Sequence, residues 1–160
     1  MTYSIGIDPG ASGAMALLGN GNFVGVKDWT DGPAVARDLK LWLDLYPVDL
    51  VALERVHAFP GQGVTSVFSF GENYGWWTGV LDALRAPWRS VPPQTWMKGV
   101  VPRKKHKSDK PGLLVAARLF PGAPLTGPRG GAKDGRADAL LIAYWAYGEA
   151  RQAPGERKGA

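Results

Sequence analysis

Three acidic side chains stand where acids are costly to keep. Asp8 closes the apolar run Ser4-Ile5-Gly6-Ile7, and Glu54 closes Leu50-Val51-Ala52-Leu53. Asp138 lies in a third motif, Asp134-Gly135-Arg136-Ala137-Asp138-Ala139-Leu140. A carboxylate at the end of an apolar strand loses hydration, so it is retained where something uses its charge. Widely spaced acids of this kind, brought together by a fold, make an oxygen-only donor set. Such a set suits hard divalent cations, Mg²⁺ or Mn²⁺, better than softer metals. The chemistry that follows is metal-assisted hydrolysis.

The charge distribution adds a substrate class. From Met1 to Met97 there are six Lys/Arg against nine Asp/Glu, whereas Lys98–Arg136 carries ten against two. The remainder is balanced, so one segment holds the whole positive excess of the chain. Its centre is the run Arg103-Lys104-Lys105-His106-Lys107, flanked by Lys98 and Lys110. A localised basic surface between two of the acids points to a polyanion, and phosphate contacts of this type carry no sequence information. Acids for a metal and bases for phosphates together predict a nuclease. His106 reads as one more surface polar group.

The elements that must position these residues follow from periodicity. Residues 3–8 alternate, placing Ile5 and Ile7 on one face and Ser4, Gly6 and Asp8 on the other. Residues 14–18 and 23–29 read as a hairpin around Gly19-Asn20-Gly21-Asn22, whose Asn and Gly tolerate positive φ. A helix opens at Asp31 or Gly32 with Pro33 in its first turn, carries Val35, Leu39, Trp42 and Leu43 as its apolar stripe, and ends at Pro47. Residues 49–54 form a fourth strand with Ala52 and Glu54 on one face. A Gly/Pro-rich loop at 57–65 leads to a long helix over 66–84. Gly71, Gly75 and Gly79 recur there every fourth residue, which predicts close packing against another element. A short strand at 88–91, a helix at 110–120, a loop at 121–132 and a last helix at 134–151 complete the chain. Asp134 and Asp138 are spaced i, i+4, so one face of that helix presents both.

This order predicts an α/β domain over residues 1–151, a five-stranded mixed sheet flanked by helices, with a flexible tail at 152–160. Parallel neighbours would set Asp8 and Glu54 together at the carboxyl ends of their strands. The chain has no cysteine, which excludes disulfides and thiolate metal sites and fits a cytoplasmic location. No apolar run approaches the length of a membrane span, and the first residues read as a strand instead of a signal peptide.

With these motifs in order, the chain resembles the RuvC-type Holliday-junction resolvases of the ribonuclease-H-like superfamily. The resemblance rests on Ile5-Gly6-Ile7-Asp8-Pro9-Gly10, Leu53-Glu54-Arg55-Val56, Ser66-Val67-Phe68, Val91-Pro92-Pro93-Gln94-Thr95-Trp96 and the Asp134–Ala143 segment. The Asp-Gly-Arg-Ala-Asp-Ala signature looks more like the compact bacteriophage resolvases than the bacterial enzyme. The resemblance implies a ribonuclease-H-like fold and Asp8, Glu54 and Asp138 as metal ligands. It usually places the fourth ligand three residues before the last acid, where this chain has Gly135. Asp134, one residue earlier, is the substitute on the same helix face.

Two Mg²⁺ per site, replaceable by Mn²⁺, are implied for phosphodiester hydrolysis in four-way or branched DNA, with paired symmetric nicks by a homodimer. Lys98 and Lys110 fall where the family carries basic residues near the scissile phosphate, so Lys110 is a candidate catalytic residue. Lys98, Arg103, Lys104, Lys105 and Lys107 are candidates for DNA binding. His57 or Phe59 stands where these resolvases place an aromatic near the junction centre. Trp76 and Trp77 on the long helix offer either an exposed patch for self-association or, for one of them, a core position. If the gene is viral, the protein acts in the bacterial host.

Three rivals share parts of the pattern. The phosphate loop of actin-like ATPases and sugar kinases also begins with a strand, Asp and Gly, but needs two lobes and leaves Glu54 without a role. A non-catalytic junction-binding protein would lack one of the acids. A broader nuclease for branched DNA or RNA–DNA hybrids shares the metal chemistry and differs in loops and dimer geometry.

Overall fold

The computed structural model describes residues 1–55, 61, 63–106 and 108–152. Its strands are β1 (Tyr3–Asp8), β2 (Ala14–Gly19), β3 (Asn22–Asp28), β4 (Val48–Glu54) and β5 (Trp88–Val91). Its helices are α1 (Gly32–Leu45), α2 (Val64–Ala83), α3 (Pro93–Met97), α4 (Pro111–Leu119) and α5 (Asp134–Gln152). The five strands form one mixed sheet in the order β3-β2-β1-β4-β5. β1–β2 and β2–β3 are antiparallel, and β1–β4 and β4–β5 are parallel. The β2–β3 hairpin turns at Asn20 and Gly21, whose φ of 50° and 77° lies where Asn and Gly are tolerated. α1 begins as its sequence requires: Asp31 caps it by accepting from the Ala34 amide at 2.8 Å, with a proline in the first turn.

The alternation along β1 and β4 divides the core in two. Ile5, Ile7, Met15, Leu17, Val51 and Leu53 face α1 and α2, where Val35, Leu39, Trp77 and Leu81 close over them. The opposite face, with Ala14, Ala16, Leu18, Ala52 and Val91, packs on α5 and α4. Each fully buried large apolar side chain contributes about 1.5–3 kcal/mol. On the α5 side the sheet residues are small because the helix sits close. A side chain at Gly6 would collide with the backbone of Ala139 and Ala143, and the buried Ser4 hydroxyl donates to the Ala143 carbonyl at 2.9 Å.

The fold class, the five strands and their alternation agree with the sequence reading. Three details differ. The Pro93–Met97 segment is a short helix, α3, too brief to show a period. Lys110 precedes α4 as its N-cap residue instead of forming its first turn. Gly71, Gly75 and Gly79 pack on no other element of the chain: a Cβ at any of them meets nothing within 4 Å among the described residues. α2 is held instead by its other side, where Trp77 is buried and Trp76 half-buried against Trp29, ring centroids 4.9 Å apart. Residues 153–160 of the expected tail lie outside the described residues.

Candidate active site

Parallel pairing of β1 with β4 sets Ile7 beside Leu53, so Asp8 and Glu54 leave the sheet side by side at the carboxyl ends of their strands. α5 brings the third acid. Its first turn presses on the β1–β2 connection so closely that a Cβ at Gly135 would collide with the backbone of Ser12 and Gly13. That contact explains the glycine three residues before Asp138: a carboxylate there has no room. It also fixes Asp138 in the second turn of the helix, facing the strand ends. Asp134 stays at the exposed start of α5 and pairs with Lys110 at 2.7 Å.

A cavity of about 430 Å³ opens at this place, with Glu54, Asp134 and Asp138 on its wall. Lys104, Ser108, Asp109 and Lys110 form its rim. Glu54 Oε1 accepts from the Trp96 indole at 2.9 Å, so α3 orients this carboxylate. Asp8 Oδ1 accepts from the Gly10 amide at 2.9 Å. Gly112, at the start of α4, lies against the Asp138 carboxylate. Asp109 Oδ2 accepts the amides of Lys105 and His106 at 2.9 and 2.8 Å, which folds the basic segment into a turn above the cavity.

The electrostatics are those of crowded, poorly hydrated acids. Burial, and then the neighbouring Asp8, push Glu54 up to about 7, against the pull of the Trp96 hydrogen bond. Asp138 also rises to about 7, through burial, then Asp8 and Asp134, with Lys104 opposing. Asp8 is raised by burial, offset in part by the Gly10 amide. The contrast is Asp28 on β3, held below the usual range by a bidentate bond from Arg136 at 2.6 and 2.8 Å and by Lys133. Arg136 also donates to the Pro124 carbonyl at 2.6 Å. That clamp ties β3, the loop before α5 and the start of α5 together.

Carboxylates held protonation-prone by burial and mutual repulsion favour a cation that neutralises them. The donor chemistry fits Mg²⁺ or Mn²⁺. The side chains are not closed into a cage: among the described residues no three acidic or imidazole groups meet as a metal-binding group. Asp8 is turned to Gly10 and Asp134 to Lys110.

No protein-family model and no curated protein matches the chain. Solved structures do. RuvC from Thermus thermophilus in complex with a Holliday junction substrate superposes with a TM-score of 0.68 at 14% identity, covering 96% of this chain and 97% of that one. A second Thermus thermophilus RuvC structure gives 0.62 at 17% identity, covering 93% and 95%. The fold is that of RuvC.

Around this RuvC-like scaffold the remaining sequence candidates fall into three groups. Lys104 and Lys110 stand at the cavity. Arg103, Lys105 and His106 are exposed on the same basic segment, and Lys98 is exposed at the end of α3, off the cavity wall. His57, Phe59 and Lys107 lie outside the described residues. Sequence reading did not single out Trp96, Asp109 or the Asp28–Arg136 clamp as site residues. Trp96 lay in a quoted motif, but its partner Glu54 is 42 residues away, so nothing local in the sequence signals the contact. No helix among the described residues is long and apolar enough to cross a membrane.

Proposed function

We propose that this protein is a divalent-metal-dependent, structure-selective endonuclease that resolves four-way or branched DNA. The observation that carries the reading is the meeting of Glu54 and Asp138, with Asp8 close enough to repel both, beneath a lysine-bearing rim. Asp8, Glu54 and Asp138 would hold the metal, two Mg²⁺ or Mn²⁺ per site, with Asp134 joining on release from Lys110. A metal held there would supply an activated water and positive charge for the departing 3′ oxygen. Trp96 keeps Glu54 oriented towards the cavity. Lys104 and Lys110 hold the phosphate against the acids, and Lys98, Arg103, Lys105 and Lys107 follow the flanking backbone without reading bases.

The RuvC structure bound to a Holliday junction substrate supports the choice of substrate. A two-fold junction calls for two active sites, and α2 offers the surface for a homodimer. Its outward face carries the open Gly71, Gly75 and Gly79, with Phe68 and Val64 exposed by 65% and 86%. Such a dimer cuts both strands symmetrically. The reading places the protein in the cytoplasm, in a bacterial host if its compact phage-like signature reflects its origin.

The test is an end-labelled synthetic four-way junction with Mg²⁺, beside linear duplex, a Y-fork and an RNA–DNA hybrid, with Asp8→Asn as control. Paired symmetric cuts in the junction alone, lost in the variant, are expected. Equal cutting of forks or hybrids would make it a broader nuclease. Tight junction binding with no cutting would make it a binding protein.

A further inference from the structure

A second hollow, of about 890 Å³, lies beside the carboxylates. Trp29 at the end of β3, Gly32 and Pro33 at the start of α1, and Phe70, Asn73 and Trp76 on α2 wall it. A trough of about 610 Å³ bearing Arg129, and Lys133 beside its partner Asp28, shares lining residues with both sites. Ala11 and Trp29 line both hollow and trough, and Asp134 lines both trough and carboxylate cavity. Three surfaces are therefore neighbours along the carboxyl edge of the sheet: the acidic cavity, the trough with Arg129 and Lys133, and an aromatic hollow that also carries Glu72.

The hollow is built around tryptophan. Trp29 and Trp76 meet edge to face and neither is fully buried. Gly32 leaves the Trp76 indole its place, since a Cβ there would stand 2.7 Å from Nε1. Asn73 Nδ2 donates to the Pro9 carbonyl at 2.8 Å, so the floor of the hollow touches the backbone next to Asp8. The outward glycine face of α2 lies on the other side of the helix, which leaves the hollow accessible in the dimer described above.

A polynucleotide matches this order of surfaces. It presents phosphates to a cation-binding cavity, further phosphates to Arg129 and Lys133, and a flat ring to the indoles; every base has a face that stacks on aromatics. We propose that the hollow takes one unstacked nucleobase of the strand being cut, its phosphates lying along Arg129 and Lys133. This deepens the nuclease reading and rests on it. The base is extruded where junction strands exchange, because unpaired or strained bases leave the stack at least cost. Through Asn73 and Pro9, an occupied hollow also steadies the Asp8 loop.

Asp8→Asn protein, expected to bind without cutting, is titrated against four-way junctions carrying 2-aminopurine at successive positions around the cut. One position should be quenched on binding. An abasic nucleotide at that position should slow wild-type cleavage about tenfold. Trp76→Ala should abolish both effects and Trp76→Phe restore them. Ser69→Leu, which narrows the hollow from its exposed rim and leaves the tryptophans in place, should slow cutting to the abasic level and erase any further abasic effect. A junction that is cut with no quenched position and no abasic sensitivity overturns the inference and leaves the nuclease reading standing. A junction neither bound nor cut overturns both. If Ser69→Leu changes the oligomeric state instead, the hollow belongs to a second copy of the chain and the inference fails.

Discussion

Glu54→Gln should make the metal-free protein more stable, although it removes a residue proposed for function. Burial and Asp8 hold Glu54 at about 7 against an ordinary 4.5. Ionising it inside the fold at pH 8 therefore costs about 3 kcal/mol, at roughly 1.4 kcal/mol for each pH unit between the two values. The sign follows from proton affinity. The folded carboxyl binds its proton more tightly than the unfolded one, so its contribution is fully present below about pH 4.5. That contribution is lost as pH rises through about 7. Glutamine keeps the shape, and its amide oxygen still accepts from the Trp96 indole. For a chain of this size each kcal/mol moves Tm by about 2–4 °C, so the variant should melt roughly 6–12 °C higher at pH 8.

The assay is thermal unfolding in EDTA at pH 4.5, 6 and 8, wild type beside variant. The gap should be near zero at the lowest pH and widest at the highest. Millimolar Mg²⁺ should then raise the wild-type Tm at pH 8 more than that of the variant, because only the former keeps the full donor set. A variant less stable than wild type at pH 8, or a gap that does not change with pH, would refute the account of Glu54 as a buried, repelled acid.

Four further outcomes are expected. Gly135→Ala must push α5 off the Ser12–Gly13 turn, costing about 1–3 kcal/mol by denaturant unfolding and displacing Asp138, so junction cleavage should fall with it. Asp134→Asn breaks an exposed ion pair and should change stability by less than about 1 kcal/mol, yet cut junction cleavage about tenfold or more; unchanged cleavage removes Asp134 from the metal site. Replacing Lys104 and Lys105 together by Ala should lower the slope of log binding constant against log salt by about 2, and an unchanged slope takes the basic segment off the DNA. Phe68→Glu should convert a dimer to monomers in sedimentation equilibrium, since it charges the open face of α2.

The sheet was readable because its strands carry their burial in a period of two. Ala52 and Glu54 share one face and Val51 and Leu53 the other, as the alternation requires. Asp8 and Glu54 were readable because acids at apolar strand ends stand out. Three features were not legible, each for a physical reason. α3 has five residues, fewer than two turns, so no stripe can form. The glycine stripe of α2 has no covering element among the described residues, and a spacing of four places residues on one face without saying whether the partner is the same chain or another. Burial on that helix is carried by Trp77 and Leu81 on another face. The Lys110–Asp134 pair joins residues 24 apart, and nothing local in either segment announces it.

Accuracy at the carboxylates comes from close backbone contact more than from the acids themselves. Repelling groups drift apart unless the elements carrying them cannot move, and Asp8, Glu54 and Asp138 repel. Gly6 seats α5 on the middle of β1, and Gly135 seats its first turn on the β1–β2 connection. The bidentate Arg136–Asp28 bond then stops the same turn from rotating. A backbone contact has no rotamer through which to relax, so α5 keeps its place despite the repulsion. The energy stored there is what a divalent cation would release on binding. Substitutions that loosen α5 should therefore raise metal-free stability at high pH only if they also separate the acids, and they should lose metal affinity in the same step. Relief without loss of affinity would mean that the helix contacts, and not the charges, hold the strain.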